Sequence, residues 1–356
     1  MTEFEFPLFD DVGSFPLSEN IDLEAFNKYY WIAYKGLTNK SDIFENRGIA
    51  NYFNNPFLQS FQHKLKAGVE IINFPQHIDM YQQFLKPIKD YEKEPGLIES
   101  DKAIIPEMFV LEKFAEEHFE NEGKAIEVKI CITGPIELYL KQHGFTIYSD
   151  MALNYARSVN HFLKNSSINT KYMKTSVISI DEPSFGYVDL ANITNDEIIQ
   201  VFDKSLENLS ATTQIHLHTL NLAQVPLLSK NIDVLTCEYA SDKRNKIPKK
   251  DLDHHDKFMR VGITRTNINS IMAEKLDSGI NYNYFKTIDG VLSLIDSKQT
   301  IKKNLTDALK HYGDRLRYVG PDCGLSGWKP PQVAFKLLST TNQAIQEIRK
   351  EFNWRK

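Results

Sequence analysis

The chain has 356 residues, of which 42% are apolar and 25% are charged, and its formal net charge is −5. This composition is typical of a globular protein with a large core. It excludes the basic surface that favours nucleic acid, and no apolar run approaches the ~20 residues that span a bilayer. We therefore expect neither nucleic acid nor a membrane as a partner.

The cysteine content and the N-terminal stretch together predict a cytoplasmic location. The sequence has three cysteines, which cannot form a fully paired disulfide framework. The first ten residues, MTEFEFPLFD, are acidic and show no signal-peptide pattern. Reduced thiols are typical of cytosolic proteins.

Short β-rich segments recur along the chain and predict about eight strands. The later segments are continuous apolar runs, as expected of strands that are covered on both faces. In chain order the predicted strands are DDVGSF (10–15), EIINF (70–74), VKICI (128–132), SVISI (176–180), QIHLH (214–218), DVLTC (233–237), MRVGI (259–263) and LRYVG (316–320).

Helical patterns lie between the predicted strands. Thr194 and Glu197 fit a capping box, in which each side chain binds a free amide of the first turn. Residues 291–313 contain helix with polar breaks and Gly313 as a C-terminal cap, and an apolar stripe predicts a last helix over 332–352. Alternating strands and helices imply parallel βα units, and eight of them predict an α/β fold of the TIM barrel type. A doubly wound open sheet is the competing architecture.

The predicted barrel also predicts where a site would lie. In this fold the chemistry sits at the C-terminal ends of the strands. No repeat or low-complexity linker divides the sequence, so we expect one catalytic barrel over residues 1–356. The residues at those strand ends are polar and ligand-like, and they are Ser14, Asn73, Thr133, Asp181, Glu182, His218, Glu238, Arg265 and Cys323.

Three of these residues form a candidate zinc site. His218, Glu238 and Cys323 supply an imidazole nitrogen, a carboxylate oxygen and a thiolate sulfur, all of which bind zinc. Three protein ligands leave a position for water or substrate, as in catalytic zinc sites. Each residue also has an ordinary interpretation, as a hydrogen-bonded histidine, an ion-paired glutamate and a small buried cysteine. Spacing alone leaves both interpretations open.

Two further motifs suggest contacts with a substrate. Asp181 and Glu182 follow an apolar strand and are placed to bind an amino group or to take part in proton transfer. A simple strand-to-loop turn is the alternative. The segment VGSFP (12–16) combines Gly13, which allows close backbone approach, with the hydroxyl of Ser14 beside free amides, an arrangement that suits a carboxylate. A simple turn is again the alternative.

Taken together, these segments resemble the catalytic barrel of the cobalamin-independent methionine synthase family. The resemblance runs in order along most of the chain, and the order and spacing of its segments are more specific than any one of them. PDCGL is the most specific single segment. The segments are VGSFP (12–16), TGP (133–135), SIDEP (179–183), QIHLH (214–218), the strand that ends in Glu238, and PDCGL (321–325).

The resemblance implies a barrel like those of methionine synthase and uroporphyrinogen decarboxylase, and a reaction. The reaction is transfer of a methyl group to the sulfur of homocysteine to give methionine, with Zn²⁺ activating the thiol. By matched positions, His218, Glu238 and Cys323 would bind the zinc. The family's N-terminal barrel, which helps to hold folate, is not expected here. The chain resembles the short single-barrel type, for which a methylated corrinoid protein or a pterin-type compound is the expected methyl donor.

The resemblance also implies a substrate site. Asp181 and Ser14 would bind the amino-acid end of homocysteine, and Gly13 and Asn73 would lie beside it. Asp181 and Glu182 are the candidate catalytic residues.

The sequence departs from the family at the metal site. The family's His-X-Cys pair reads His218, Thr219 and Leu220 here, so one thiolate ligand is lost. The metal would then keep three protein ligands or recruit a fourth, such as His216 or Cys237, and both of these candidates have difficulty. Cys237 precedes Glu238 and is expected to point to the opposite face, whereas His216 is expected to lie about 6–7 Å deeper than His218 along the strand.

Two departures concern the substrate and the donor. Asn73 and Phe74 stand where the family has a Gly-Glu pair whose acid binds the amino group. Arg265 and Asn267 stand where it has an Asp and a His for proton transfer. A corrinoid leaving group needs no proton, because cobalt departs with the electron pair of the broken bond.

Three functions follow as hypotheses. The first is a zinc-dependent S-methyltransferase acting on homocysteine. The second is a methyltransferase of the uroporphyrinogen-decarboxylase-like barrels acting on another thiol such as coenzyme M, since an acceptor without an amino group would explain Phe74. The third is a barrel that binds a ligand or partner without catalysis, which Leu220, Arg265 and Asn267 favour.

Overall fold

Eight parallel strands form the centre of the protein, whose computed structural model describes residues 5–352. Each strand pairs with the strands before and after it in the chain, and β8 pairs with β1. A bridge between Asp10 and Ile71 joins β1 to β2 and closes the ring. The predicted TIM barrel is therefore confirmed, and the open sheet is wrong. The strands are β1 (Leu8–Phe9), β2 (Ile72–Asn73), β3 (Ile126–Thr133), β4 (Met173–Asp181), β5 (Thr212–His216), β6 (Val234–Cys237), β7 (Phe258–Thr264) and β8 (Leu316–Pro321).

Helices connect successive strands and cover the outside of the barrel. The capping box of Thr194 and Glu197 and the C-terminal cap at Gly313 are confirmed. None of the helices within residues 5–352 combines the length and apolarity needed to cross a membrane. The α-helices are α1 (Leu23–Thr38), α2 (Arg47–Ile49), α3 (Asn55–Lys66), α4 (Gln82–Asp90), α5 (Pro106–Glu122), α6 (Pro135–His143), α7 (Ser149–Ser166), α8 (Asn195–Ser205), α9 (Gln224–Leu228), α10 (Lys249–His255), α11 (Ile268–Asp277), α12 (Ile288–Leu292), α13 (Lys298–Tyr312) and α14 (Pro331–Glu351).

Two predictions include residues at the ends of the chain that the structure does not describe. The acidic stretch MTEFEFPLFD begins in residues 1–4, which lie outside the described residues, as do residues 353–356. The single domain over 1–356 stays a prediction for that reason.

Two predicted strands are displaced in the structure. The first strand, predicted at 10–15, lies at Leu8–Phe9, because backbone pairing with β8 ends at Asp10. The carbonyl of Gly13 accepts from the Lys64 side chain at 2.9 Å and from the Gln76 amide at 3.2 Å. The fifth strand, predicted to end at residue 218, ends at His216. His218 therefore lies in the loop beyond the strand.

The lower interior of the barrel is charged. Asp10 binds Arg260 at 2.7 Å and Lys129 at 2.8 Å, and none of the three side chains is more than 2% exposed. Gly320 makes room for this group, because a Cβ atom there would lie 2.0 Å from the Asp10 carbonyl oxygen and 2.8 Å from Arg260 Nη2. The neighbouring pair of Lys64 and Asp11, at 2.6 Å, is equally buried. Ion pairs thus fill positions beneath the site that apolar side chains fill in many barrels.

Glu107 on α5 is a buried acid outside the barrel, and it makes stability depend on pH. Burial raises its pKa from the usual 4.5 to about 8, although Gln83 donates to it. The folded state therefore holds the proton more tightly, and stability falls as pH rises from 4.5 towards 8. We expect Glu107→Gln to stabilise the protein by on the order of 3 kcal/mol at about pH 9 and to have little effect at about pH 5.

Urea unfolding at several pH values measures this effect. Glu116→Gln, at an exposed position on the same helix, is the matched control and should leave the profile unchanged. Parallel profiles for wild type and Glu107→Gln would contradict the prediction.

Candidate metal site

Four potential metal ligands meet at the C-terminal end of the barrel. They are His216 at the end of β5, His218 two residues later, Glu238 directly after β6, and Cys323 two residues after β8. One ligand atom from each lies within 4.8 Å of the others. The structure therefore brings together the three residues predicted from the sequence and adds His216 to them.

The separations fit a metal ion. Tetrahedral zinc with bonds of about 2.0–2.3 Å holds its ligand atoms about 3.3–3.8 Å apart. His218 Nε2 lies 3.5 Å from Glu238 Oε1 and 3.7 Å from Cys323 Sγ. These two distances already have the size of the edges of such a tetrahedron. The residues present fit a zinc ion.

His216 was expected to lie about 6–7 Å deeper than His218 along the strand, but in the structure the two histidines share one cluster. The two imidazole rings lie 5.5 Å apart, at an interplanar angle of 78°. Since β5 ends at His216, the chain no longer follows the extended rise that would separate the two rings. Cys237, in contrast, is fully buried in the hydrophobic core and is not among the four clustered ligands.

Asp322, which precedes Cys323, holds two ligand loops together. Its carboxylate accepts the amides of Ala240 and Ser241 at 3.0 and 2.8 Å and the Ser241 hydroxyl at 2.7 Å. These bonds tie the loop after Glu238 to the loop that carries Cys323. The sequence analysis missed this residue, although its place between a proline and the candidate ligand was a usable signal.

The site gathers acidic groups whose charged forms are disfavoured as long as no cation balances them. Burial, then Asp322 and Asp181, raise the pKa of Glu238 to about 8. Burial, then Asp181 and Glu238, raise the pKa of the Cys323 thiol well above its usual range. Burial lowers the pKa of His218, so its imidazole is neutral and free to act as a ligand near pH 7. A bound dication would reverse the shifts of the acid and the thiol.

Asp181 lies next to this cluster, and Glu137 accompanies it. Asp181 Oδ1 is 4.0 Å from His216 Nε2 and has no hydrogen-bond partner among the described residues. Burial, and then the charge of Glu137, raise the pKa of Asp181 to about 7. Glu137 is 4% exposed and accepts from the Tyr81 hydroxyl at 2.6 Å and from the Ser184 amide at 3.1 Å. The sequence analysis missed Glu137, which follows the quoted TGP segment by two residues.

Glu182 lies outside the four-ligand cluster. Its two carboxylate oxygens accept the amides of Ile136 and Glu137, at 3.0 and 2.7 Å, and so cap the first turn of α6. Gly134 accommodates this cap, because a Cβ atom there would lie 2.1 Å from Glu182 Oε1. In the structure the Glu182 carboxylate therefore stabilises the N-terminal turn of α6.

The remaining predicted substrate residues lie around β1 and β2. Ser14 is partly exposed, and its carbonyl and hydroxyl oxygens accept from Leu325 at 2.8 Å and Ser326 at 3.4 Å, in the loop that follows Cys323. Gly13 lies against Asn73. Asn73 is fully buried, and its Oδ1 accepts the Cys131 amide at 3.1 Å, which ties β2 to β3. Ser14 is the member of this group that is accessible beside the cluster.

Arg265 and Asn267, which stand where the resembled family has proton-transfer groups, are both engaged in local structure. Arg265 pairs with Asp296 at 2.9 Å and Glu274 at 2.8 Å. Asn267 Oδ1 accepts from the Ser270 amide at 3.1 Å and caps α11. These bonds account for both side chains without a role in chemistry.

The chain matches no protein-family model and no curated protein sequence, but it does match solved structures. One is a B12-independent methionine synthase from Shewanella sp. W3-18-1 in complex with selenomethionine, with 16% identity and a TM-score of 0.60, covering 98% of this chain and 99% of that chain. Another is a methyltransferase from Methanosarcina mazei, with 11% identity and a TM-score of 0.50, covering 95% and 94% of the two chains. At these identities the likeness shows a shared fold.

The fold and the site together define a class. The protein is an α/β barrel with a cluster of two histidines, a glutamate and a cysteine at the C-terminal ends of its strands. The resemblance seen in the sequence is supported at the level of the fold by the similarity to the methionine synthase structure.

Proposed function

We propose that the protein is a zinc-dependent S-methyltransferase that methylates a thiol, with homocysteine as the acceptor. The observation that carries the proposal is the cluster of His218, Glu238 and Cys323, with ligand atoms at the spacing that zinc requires, at the end of the barrel where such enzymes work. Zinc bound there would keep the acceptor thiol as a thiolate near neutral pH, which is its nucleophilic form.

Asp181 and Glu137 would bind the amino group of the acceptor. Glu137 is buried and Asp181 is partly buried, and neither forms an ion pair with a Lys or Arg side chain among residues 5–352. An ammonium group between them would neutralise charge that now raises the pKa of Asp181. Ser14, whose hydroxyl lies beside the loop of Cys323, would donate to the acceptor carboxylate.

The transfer itself needs little from the protein beyond positioning. The sulfur of the acceptor forms the new S–C bond with its own electron pair, and the methyl–donor bond breaks with its pair going to the donor. A methylated corrinoid needs no proton for this step. Because Arg265 and Asn267 are held in structural bonds, the site favours that donor over a pterin, whose nitrogen must be protonated.

The proposal is tested by incubating the zinc-loaded protein with homocysteine and, separately, methylcobalamin or a methylated folate. Methionine, detected by mass spectrometry, is the expected product, with methylcobalamin the better donor. If the zinc-loaded protein methylates neither homocysteine nor mercaptoethanesulfonate with either donor, the proposed function is wrong, and a barrel that binds a ligand without catalysis becomes the better hypothesis.

The acidic pair separates this proposal from methylation of coenzyme M. Mercaptoethanesulfonate carries a negative sulfonate and no amino group, so Asp181 and Glu137 would repel it. Direct competition between the two thiols measures this preference, and we expect homocysteine to be used first. Preferred use of mercaptoethanesulfonate would favour the uroporphyrinogen-decarboxylase-like alternative.

Glu137→Gln tests whether Glu137, which the sequence analysis missed, binds the amino group of the acceptor. The amide keeps the shape and an acceptor for Ser184 but loses the charge. Since a hydrogen bond to a charged group contributes about 1.5–3 kcal/mol, we expect KM for homocysteine to rise roughly 10- to 100-fold with kcat less affected. A thiol without an amino group is the control, and its KM should not rise. An equal effect on both thiols would assign Glu137 a purely structural role.

A further inference from the structure

We infer that His216 is a fourth metal ligand, so that the site binds its ion through two imidazoles, one carboxylate and one thiolate. The inference deepens the proposed function, since it concerns the same site. It is nevertheless testable by metal binding alone, without any methyl transfer. It extends the predicted set of His218, Glu238 and Cys323, beside which the sequence offered His216 and Cys237 as candidates for a recruited fourth ligand.

The first support is an unpartnered nitrogen. His216 is 1% exposed, and its Nε2 is buried without a hydrogen-bond partner among the described residues. A buried polar atom without a partner destabilises the folded state, because it has lost its hydrogen bonds to water. A metal ion among the ligand atoms of His218, Glu238 and Cys323 would give this nitrogen the partner that it lacks.

The second support is the way the ring is held. His216 Nδ1 lies 3.0 Å from the Thr236 hydroxyl, which is itself fixed by accepting the Leu217 amide at 3.1 Å. Histidines that bind metals usually have the second ring nitrogen held by such a partner, which sets the tautomer and aims the free nitrogen at the ion. Thr236 therefore leaves Nε2 as the atom available to a metal.

The obvious competing partner for Nε2 is Asp181. The distance from His216 Nε2 to Asp181 Oδ1 is 4.0 Å, which is longer than a hydrogen bond. A neutral imidazole with a free lone pair is the form that binds metals.

His216 also supplies a ligand atom, which Leu220 cannot do. Leu220 is 8% exposed and packs in the hydrophobic core, so it brings no ligand atom to the cluster. The His216 ring stands edge-on to the His218 ring, so the two rings approach the same space from different directions. With one sulfur ligand, the ion is a stronger Lewis acid than with two, and zinc has less advantage over cobalt or iron.

X-ray absorption of the zinc-loaded wild-type protein tests the ligand set without any substitution. We expect scattering from two imidazoles and a single sulfur at about 2.3 Å. One imidazole would overturn the inference while leaving the proposed function intact. Failure of the wild type to bind zinc at all would overturn both.

Zinc affinity, measured by competition with a chromophoric chelator, is the second test. Loss of a hydrogen bond that supports a ligand lowers metal affinity roughly 10–100-fold. We therefore expect Thr236→Val to lower zinc affinity by a factor in that range, and His216→Gln to lower it by a larger factor. His161→Gln is the matched control, because within residues 5–352 His161 also has a buried ring nitrogen without a partner but is not part of a cluster of potential ligands. Equal affinities for His216→Gln and His161→Gln would contradict the inference.

A rescue variant guards against a folding defect in His216→Gln. Leu220→Cys in that background restores a fourth ligand at a different position. We expect the double variant to bind zinc more tightly than His216→Gln alone and to show two sulfur scatterers. Rescue without the second sulfur would overturn the assignment of His216 as a ligand.

Discussion

Replacing Cys323 with alanine is expected to reduce bound zinc from about one ion per chain to nearly none. Cys323 supplies the only sulfur in the cluster, 3.7 Å from His218 Nε2. A thiolate is the ligand that most favours zinc over hard cations, and the three ligands left behind include just one negative charge. Thiol methylation should be lost with the metal, because the acceptor would then stay protonated near neutral pH.

Elemental analysis of the purified variant measures this loss. Cys237→Ala is the control, since that thiol lies in the hydrophobic core beside Glu238 in sequence and outside the cluster. It should lose some stability and keep its zinc. A Cys323→Ala variant that retained one zinc per chain, with the affinity of the wild type, would show that the ion sits elsewhere.

Replacing Asp10 with asparagine is expected to cause a large loss of stability. Asp10 is fully buried and forms ion pairs with both Arg260 and Lys129. Arg260 Nη1 and Nη2 already lack partners among the described residues, so the side chain depends on this one carboxylate. Removing one member of a buried ionic group leaves an uncompensated charge and costs about 3–5 kcal/mol. Urea unfolding of the two proteins measures the difference.

An exposed ion pair provides the comparison. Lys86 and Asp90 lie 2.6 Å apart on α4, and both side chains are more than 40% exposed. Asp90→Asn should cost less than about 1 kcal/mol, because solvent screens such pairs. If Asp10→Asn and Asp90→Asn lowered the free energy of unfolding by equal amounts, the barrel interior would be hydrated rather than dry.

The barrel was predictable because its pattern is simple. Strands covered on both faces are continuous apolar runs, and β3, β4 and β7 contain the predicted segments within their bounds. The strand of Leu8–Phe9 was misplaced because a two-residue strand leaves no periodic pattern. Its neighbour Asp10 pairs with residues far along the chain, and such partners are invisible in a local sequence.

The candidate site was predictable where it depends on topology. His218, Glu238 and Cys323 follow the ends of β5, β6 and β8, and the barrel brings those ends to one edge. His216 was expected to lie about 6–7 Å deeper than His218, because the estimate assumed that β5 continues to residue 218. Glu137 was missed, because a glutamate in the first turn of a helix is an ordinary choice next to the helix dipole. Only the hydrogen bonds that join the first turn of α6 to Glu182 and Ser184 show what it faces.

The cap that Glu182 places on α6 has a further consequence. Glu182 adjoins Asp181 in β4, and it holds the first turn of the helix that carries Glu137. The two acids that face the proposed ammonium group are therefore fixed relative to each other before any acceptor arrives. Binding then loses little conformational entropy in the protein, and affinity depends on how well the acceptor matches a preorganised subsite. Acceptors of a different length should be discriminated by fit rather than accommodated by movement.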